Sequence, residues 1–511
     1  MKKERYYLGI EFGSTRIKGA VLDCDHQVVS KASYQWASTC ENGYWTYPLS
    51  QALDGLRCVL SQLDHLDELA AFGVSGMMHG YLAFDANWNL LVPFRTWQNT
   101  TTGPAAAALT SLFHFNIPQR WSIAHLYQAI LNQEEHASKV RHITTLAGYV
   151  HFLLTGVNAI GIGEASGMFP VDQDTHSYDA VMIRKFDRVS GLDVSIQELL
   201  PKVLIAGEPA GFVTSEGSRL TNGLLRQGLV AAPCEGDAGT GMVATDAVVP
   251  CTGNVSGGTS IFLMAVLEHS LVNVHPEIDV VATPVGSPVA MVHCNNCTAE
   301  LNQWVSMFQE LLAMEGVDVS SSKLFEDLYR CSMDGESSGI TMVNYLTGEG
   351  VTHMDDGFPM ILRKGDRKLS LAQFMRAQLY SSIATLALGM NILKTENVNL
   401  QRLMAHGGIF KTEGVMDRYL ASALSIPVST MKTAGEGGPC GMALLAQYLV
   451  ERQGDEPLSV WLDRSVFAHV ETKEVLPDPV VTEDFEDYLS RFCSALEMER
   501  SVIEKRKKDH E

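Results

Sequence analysis

The chain has 511 residues, 46% of them hydrophobic and 19% charged, with a net charge of −21. That length predicts two or three globular domains, each with enough apolar material for a core. The acidic balance argues against nucleic acid or an anionic membrane as partner. No apolar run approaches a transmembrane span and the N-terminus lacks a signal-peptide core, so a cytoplasmic location is expected.

Three strands are predicted at Tyr6–Ile10, Ile17–Asp23 and Gln27–Tyr34. The first two form a hairpin around Gly13-Ser14-Thr15. Gly13 allows close backbone approach to an anion, Ser14 and Thr15 add hydroxyls, and Lys18 adds positive charge. Such a turn suits a triphosphate. Glu11, just before it, is placed to hold a metal ion or its water. A helix follows near Ser50–Leu63, then a buried strand at Leu69–Val74. This order matches the opening of actin-like ATPase domains.

Ser75-Gly76-Met77-Met78-His79-Gly80 lies where that strand ends, a natural ligand position. Trp97-Gln98-Asn99 sets an aromatic face beside amides, a combination suited to a sugar. Gly103–His136 reads as helical with few chemical groups, Ile143–Leu154 as a further helix, and Gly161–Met168 as a loop. At Gly236-Asp237-Ala238, after a strand at Leu229–Ala232, Asp237 is the best general-base candidate. A helix cap fits Asp237 as well, and the two roles are compatible.

Gly253–Leu263 repeats the opening hairpin. Gly253 matches Gly9 and Gly257 matches Gly13 at one common offset, and Gly258-Thr259-Ser260 forms the second turn. Two such hairpins half a chain apart predict two similar domains facing each other across a nucleotide. His293-Cys294-Asn295-Asn296-Cys297 holds the only C-x-x-C. With no second pair for zinc, reduced and packed thiols are expected. A helix at Ala299–Met314, another at Leu369–Leu393, and a strand entering Gly407-Gly408 follow. Glu436-Gly437 lies in the Gly-rich start of the next helix, where anions are favoured. The basic end, Lys505–Lys508, suggests a solvated charged tail.

Taken together, these stretches resemble the FGGY carbohydrate kinases from Tyr7 to about Gln447, and xylulokinase-type ketopentose kinases above all. The resemblance implies an α/β fold of two actin-like (ribonuclease H-like) ATPase domains around an interdomain cleft. Residues 1–246 would hold the sugar site and first phosphate hairpin. Residues 247–490 would hold the adenosine pocket and second hairpin, and 491–511 the tail. It implies ATP and Mg²⁺, the metal held by Glu11 and Asp237. Met78, His79, Trp97, Gln98, Asn99 and Asp237 would bind the sugar. Gly13, Ser14, Thr15, Lys18, Gly258, Thr259, Ser260, Gly407, Gly408, Glu436 and Gly437 would bind the nucleotide. The partners implied are a small sugar or polyol and ATP or ADP, with a homodimer left open. Three positions depart from the family pattern: Glu11 and Asn99 replace Asp, and Gly161 stands where an Asp is usual. A weakly catalytic regulatory protein and an ATPase without a sugar site are the competing classes.

Overall fold

The computed structural model describes residues 5–335, 339–365, 369–431 and 437–510. The opening strands are β1 (Tyr6–Phe12), β2 (Arg16–Leu22) and β3 (Val28–Gln35). They form an antiparallel meander beneath helix α1 (Leu49–Leu60). Strand β4 (Leu69–Gly76) then pairs parallel to β1, and β5 (Val230–Ala231) parallel to β4. The order is β5-β4-β1-β2-β3, with the short strand Glu235–Gly236 also pairing on β4. Helix α2 (Asp237–Ala244) leaves this sheet.

The second sheet repeats the plan. Strands β6 (Thr252–Gly257), β7 (Ile261–Val266), β8 (Ile278–Ala282) and β9 (Pro288–Cys294) pair antiparallel, and helix α3 (Ala299–Met314) follows. After helix α4 (Leu371–Thr395), β10 (Arg402–His406) adds parallel to β6, as β4 does to β1. Helix α5 (Met416–Leu424) leads to β11 (Val428–Thr430). Later come α6 (Gly437–Glu451), β12 (Lys473–Val475) and α7 (Pro479–His510). The order is β8-β9-β7-β6-β10-β11-β12. Each sheet thus has the expected hairpin at its centre, and each lobe has its own buried cluster. Cys294 and Cys297 are buried free thiols, as the sequence suggests.

The chain departs from its expected boundaries twice. Helix α6 falls within the expected second domain, yet its Met442 to Ala446 are buried in the first-lobe core. It lies so close to the first sheet that a Cβ at Gly9 would come within 2.6 Å of the Ala443 nitrogen. It crosses α2 at Gly441, where a side chain would overlap the Thr240 carbonyl. The second departure is the tail. Helix α7 starts at Asp478-Pro479, with Asp478 accepting from the Val480 amide at 2.9 Å. Phe485, Tyr488, Phe492, Ala495, Leu496 and Ile503 of α7 belong to the second core. Burying each of its three aromatic rings stabilises the fold by roughly 2–3 kcal/mol. So α7 docks on the second lobe along one face, while Lys505 and Arg506 near its end stay exposed.

Candidate active site

The first hairpin turn is held from behind. Gly13 N–H donates to the Arg16 carbonyl at 3.0 Å, closing the turn. The Gly13 carbonyl accepts from Trp36 Nε1 at 2.7 Å and the Ser14 carbonyl from the Tyr47 hydroxyl at 2.6 Å. The Thr15 carbonyl accepts from the Trp36 amide at 3.1 Å. Three carbonyls that would repel phosphate are therefore engaged elsewhere. Glu11 and Lys18 face each other in register across the hairpin, at 3.3 Å.

The second turn uses the same device with different partners. Gly258 offers its carbonyl to Thr298 N at 3.2 Å and to Thr298 Oγ1 at 2.8 Å, and Thr259 offers its carbonyl to Cys297 N at 3.0 Å. Ser260 closes the turn by accepting from Gly258 N at 2.8 Å. Gly407 adopts φ +106° and lies against Gly257, so a side chain there would strike backbone. Gly408 lines a cavity of about 580 Å³ with Thr298, Asn302, Phe325, Tyr329 and Lys411. Nothing lies within 4 Å of where its Cβ would be. Gly437 begins α6, and the next residue, Gly438, lies directly against the Glu11 carboxylate. Glu436 lies outside the described residues.

The Met78-His79 turn reaches Asp237, whose Oδ1 accepts from Met78 N at 3.4 Å and from Ala238 N at 3.0 Å. Gly236 is the cap position of α2 and Asp237 its first residue, whose Oδ1 takes up the first-turn amide of Ala238 while also reaching Met78. Burial, then the Glu11 charge, push the Asp237 carboxyl up to about 7, against the two amides and Lys18. Hence Asp237, Glu11 and Lys18 share one electrostatic site. A base with a pKa near neutrality is well matched to taking a hydroxyl proton. His79, at φ +70°, hydrogen-bonds the Gly167 carbonyl through Nδ1 at 3.2 Å. Burial and Arg120 hold its pKa well below the usual histidine range, so the ring is neutral.

The bridge between Tyr81 and Arg95 sets the segment leading into Trp97 and Gln98 beside the residues that follow this turn. Gln98 Oε1 is buried without a hydrogen-bond partner. Asn99 is different. Its Oδ1 accepts from Trp45 N at 2.8 Å, and its Nδ2 donates to the Trp45 carbonyl at 2.9 Å and the Thr96 carbonyl at 3.0 Å. At 2% exposure, its amide ties two loops together through these backbone bonds.

Gly161 also finds its reason here. A Cβ at residue 161 would overlap the Glu235 carboxylate. Glu235 accepts from Glu164 N at 2.9 Å and Gly163 N at 3.4 Å, and burial pushes its pKa up to about 8. The acid absent at 161 is replaced in space by one at 235.

Three groups at the site escaped the sequence reading. Trp36 and Tyr47 brace the first turn from outside any motif. Arg120 lies in the break between helices Gly103–Phe113 and Ser122–Leu131, where one helical region was expected. Pro118 was the available signal for that break. The Arg120 carbonyl accepts from Gly80 N at 3.0 Å, and Trp121 stacks on His79 with centroids 6.3 Å apart.

The model of the FGGY carbohydrate kinase N-terminal domain matches residues 6–243, and that of the C-terminal domain residues 253–450. A xylulose kinase of Haemophilus influenzae is 22% identical over 425 residues, 79% of this chain and 82% of that protein. Among solved structures, a gluconate kinase from Lactobacillus acidophilus superposes with TM-score 0.81 at 16% identity, covering 98% of this chain and 99% of its own. A structure described as a xyloylose kinase, from Brucella ovis, gives 0.79 at 18%, covering 97% and 100%. Both family domains match in order across most of the length, and the chain therefore belongs to the FGGY family of carbohydrate kinases.

Proposed function

We propose that the chain transfers the γ-phosphate of ATP to a hydroxyl of a small ketose, such as xylulose or ribulose, or of a polyol. One observation carries this reading: Asp237 accepts from the amide of Met78 while sharing an electrostatic site with Glu11 and Lys18. A single carboxylate thus joins the sugar turn to the phosphate turn. The sugar lies among Met78, His79, Trp97, Gln98 and Asp237. Adenine lies in the cavity floored by Gly408, and the phosphates lie between the turns at Gly13–Thr15 and Gly258–Ser260.

Asp237 takes the hydroxyl proton as the oxygen attacks in line. Lys18 and the turn amides offset charge on the transferring group, so positioning and electrostatics carry the rate. Among the described residues no three His, Cys, Asp or Glu side chains form a metal cluster. Two facing acids suit Mg²⁺, which commonly keeps several waters and binds through one or two carboxylates and phosphates. Glu11 and Asp237 would hold it, and the ion would supply neutralisation of the phosphates. A cytoplasmic location accords with this reading, and among the described residues no helix is long and apolar enough to cross a membrane. The test is ADP release from ATP against a panel of ketoses, aldoses, polyols and aldonates. Equal release with and without every sugar refutes it.

A further inference from the structure

The second sheet turns one face to its own core and the other to the first lobe. Leu263, Ala265, Ala290, Val292, Leu403 and Ala405 fall in the second-lobe core. The alternate residues Met264, Val266, Val281, Val289 and Met291 fall in the first-lobe core. Strand periodicity then places Phe262, Asp279 and His293 on the face toward the first lobe. They sit on three adjacent strands. Phe262 and His293 are cross-strand partners on β7 and β9, with ring centroids 6.5 Å apart. Asp279 on β8 pairs with Met291, two residues from His293.

From the first lobe, Arg120 reaches this row. Its carbonyl holds the turn after His79, while its guanidinium forms an ion pair with Asp279. Asn116 Nδ2 adds a bond to the Ile278 carbonyl at 2.9 Å. One loop therefore grips both the His79 turn and the edge of the second sheet. His79 and His293 both lie within the Arg120 field, and His79 also within that of His293. Burial, then Arg120, push His293 down to about 3, so it too is a neutral imidazole. A neutral imidazole offers one donor and one acceptor, which matches a hydroxyl.

We propose that the second lobe completes the sugar site: His293 reads a hydroxyl remote from the transferred phosphate, and Asp279 positions and neutralises Arg120, so that the site selects an uncharged sugar over a sugar acid. This rests on the kinase reading above. A sugar carboxylate near Arg120 would meet the Asp279 charge, and like charges brought together raise the cost of binding.

The full-length chain, His293→Ala, His293→Gln and Asp279→Asn are compared for ADP release with D-xylulose, D-ribulose, xylitol, glycerol and D-gluconate. ADP affinity is measured separately by calorimetry. Losing a ligand hydrogen bond raises the sugar KM of His293→Ala about tenfold. ADP affinity stays unchanged, and His293→Gln, which keeps a donor and an acceptor, recovers most of the loss. Asp279→Asn leaves Arg120 uncompensated and raises kcat/KM for gluconate relative to the neutral sugars. Should that variant fold poorly, the two His293 variants still decide. A wild-type chain that releases no ADP with any sugar overturns the kinase reading. A wild-type chain that prefers gluconate to every neutral sugar overturns the inference. So does an active chain whose sugar KM and acid-to-neutral ratio survive the substitutions.

Discussion

Replacing Asp237 with Asn removes one titratable proton acceptor and little else. The amide oxygen can still accept from Met78 N and Ala238 N, which both bond Oδ1 in the native chain. General base catalysis contributes about 10²–10⁴-fold, so kcat should fall by that factor, about 3–5 kcal/mol on the barrier. Burial and the Glu11 charge raise the native carboxyl to about 7. The base works ionised, so native kcat/KM should climb with pH through that value, and the variant should lose this limb. Above pH 7 the native site holds two facing negative charges and the variant one, so the variant's melting temperature at pH 8 should match or exceed the native one. Steady-state kinetics from pH 5.5 to 9, with sugar and ADP binding by calorimetry, measure all of this. A folded Asp237→Asn protein within about tenfold of native kcat would leave no base role for this residue.

Gly408→Val places a side chain in the cavity beside the second turn, where a Cβ would meet nothing within 4 Å. It should weaken ATP binding by at least tenfold and leave sugar binding within about twofold; calorimetry with each ligand separates the two. Gly9→Ala drives a Cβ into the Pro439–Ala443 backbone of α6. Overpacking of this kind costs about 1–3 kcal/mol, to be read from urea unfolding. Glu499 is fully buried on α7, with Oε1 accepting from Phe358 N and Oε2 unpaired, and burial raises it from 4.5 to about 7. The native state then binds the proton more tightly than the unfolded one. Its contribution is complete below pH 4.5 and is lost as pH rises to about 7, a change of about 3 kcal/mol. Glu499→Gln should flatten that part of the melting profile, and an unchanged profile would refute the assignment.

Local chemistry made the two hairpins, the Met78-His79 turn and the placing of Asp237 legible from the sequence. A Gly-rich turn between alternating strands is specified by the residues within it. So is an Asp set between glycines at a strand end, and the repeat of the first hairpin at Gly253–Leu263 announced the doubled fold. The groups that brace those motifs had no such signature. Trp36 and Tyr47 reach the first turn from 23 and 33 residues away, through contacts that exist only once the sheet has formed. Asn99 reads in sequence as a polar group beside Trp97, yet backbone it meets only in the fold takes up its amide. The basic residues of α7 dominate the end of the sequence, while its buried stripe depends on a second lobe assembled from residues far upstream. Helix α6 lies between second-lobe strands β11 and β12 in the chain and packs on the first lobe because small residues allow close contact. Gly9 and Gly441 leave room for backbone against backbone, and only the tertiary structure shows what that room is for.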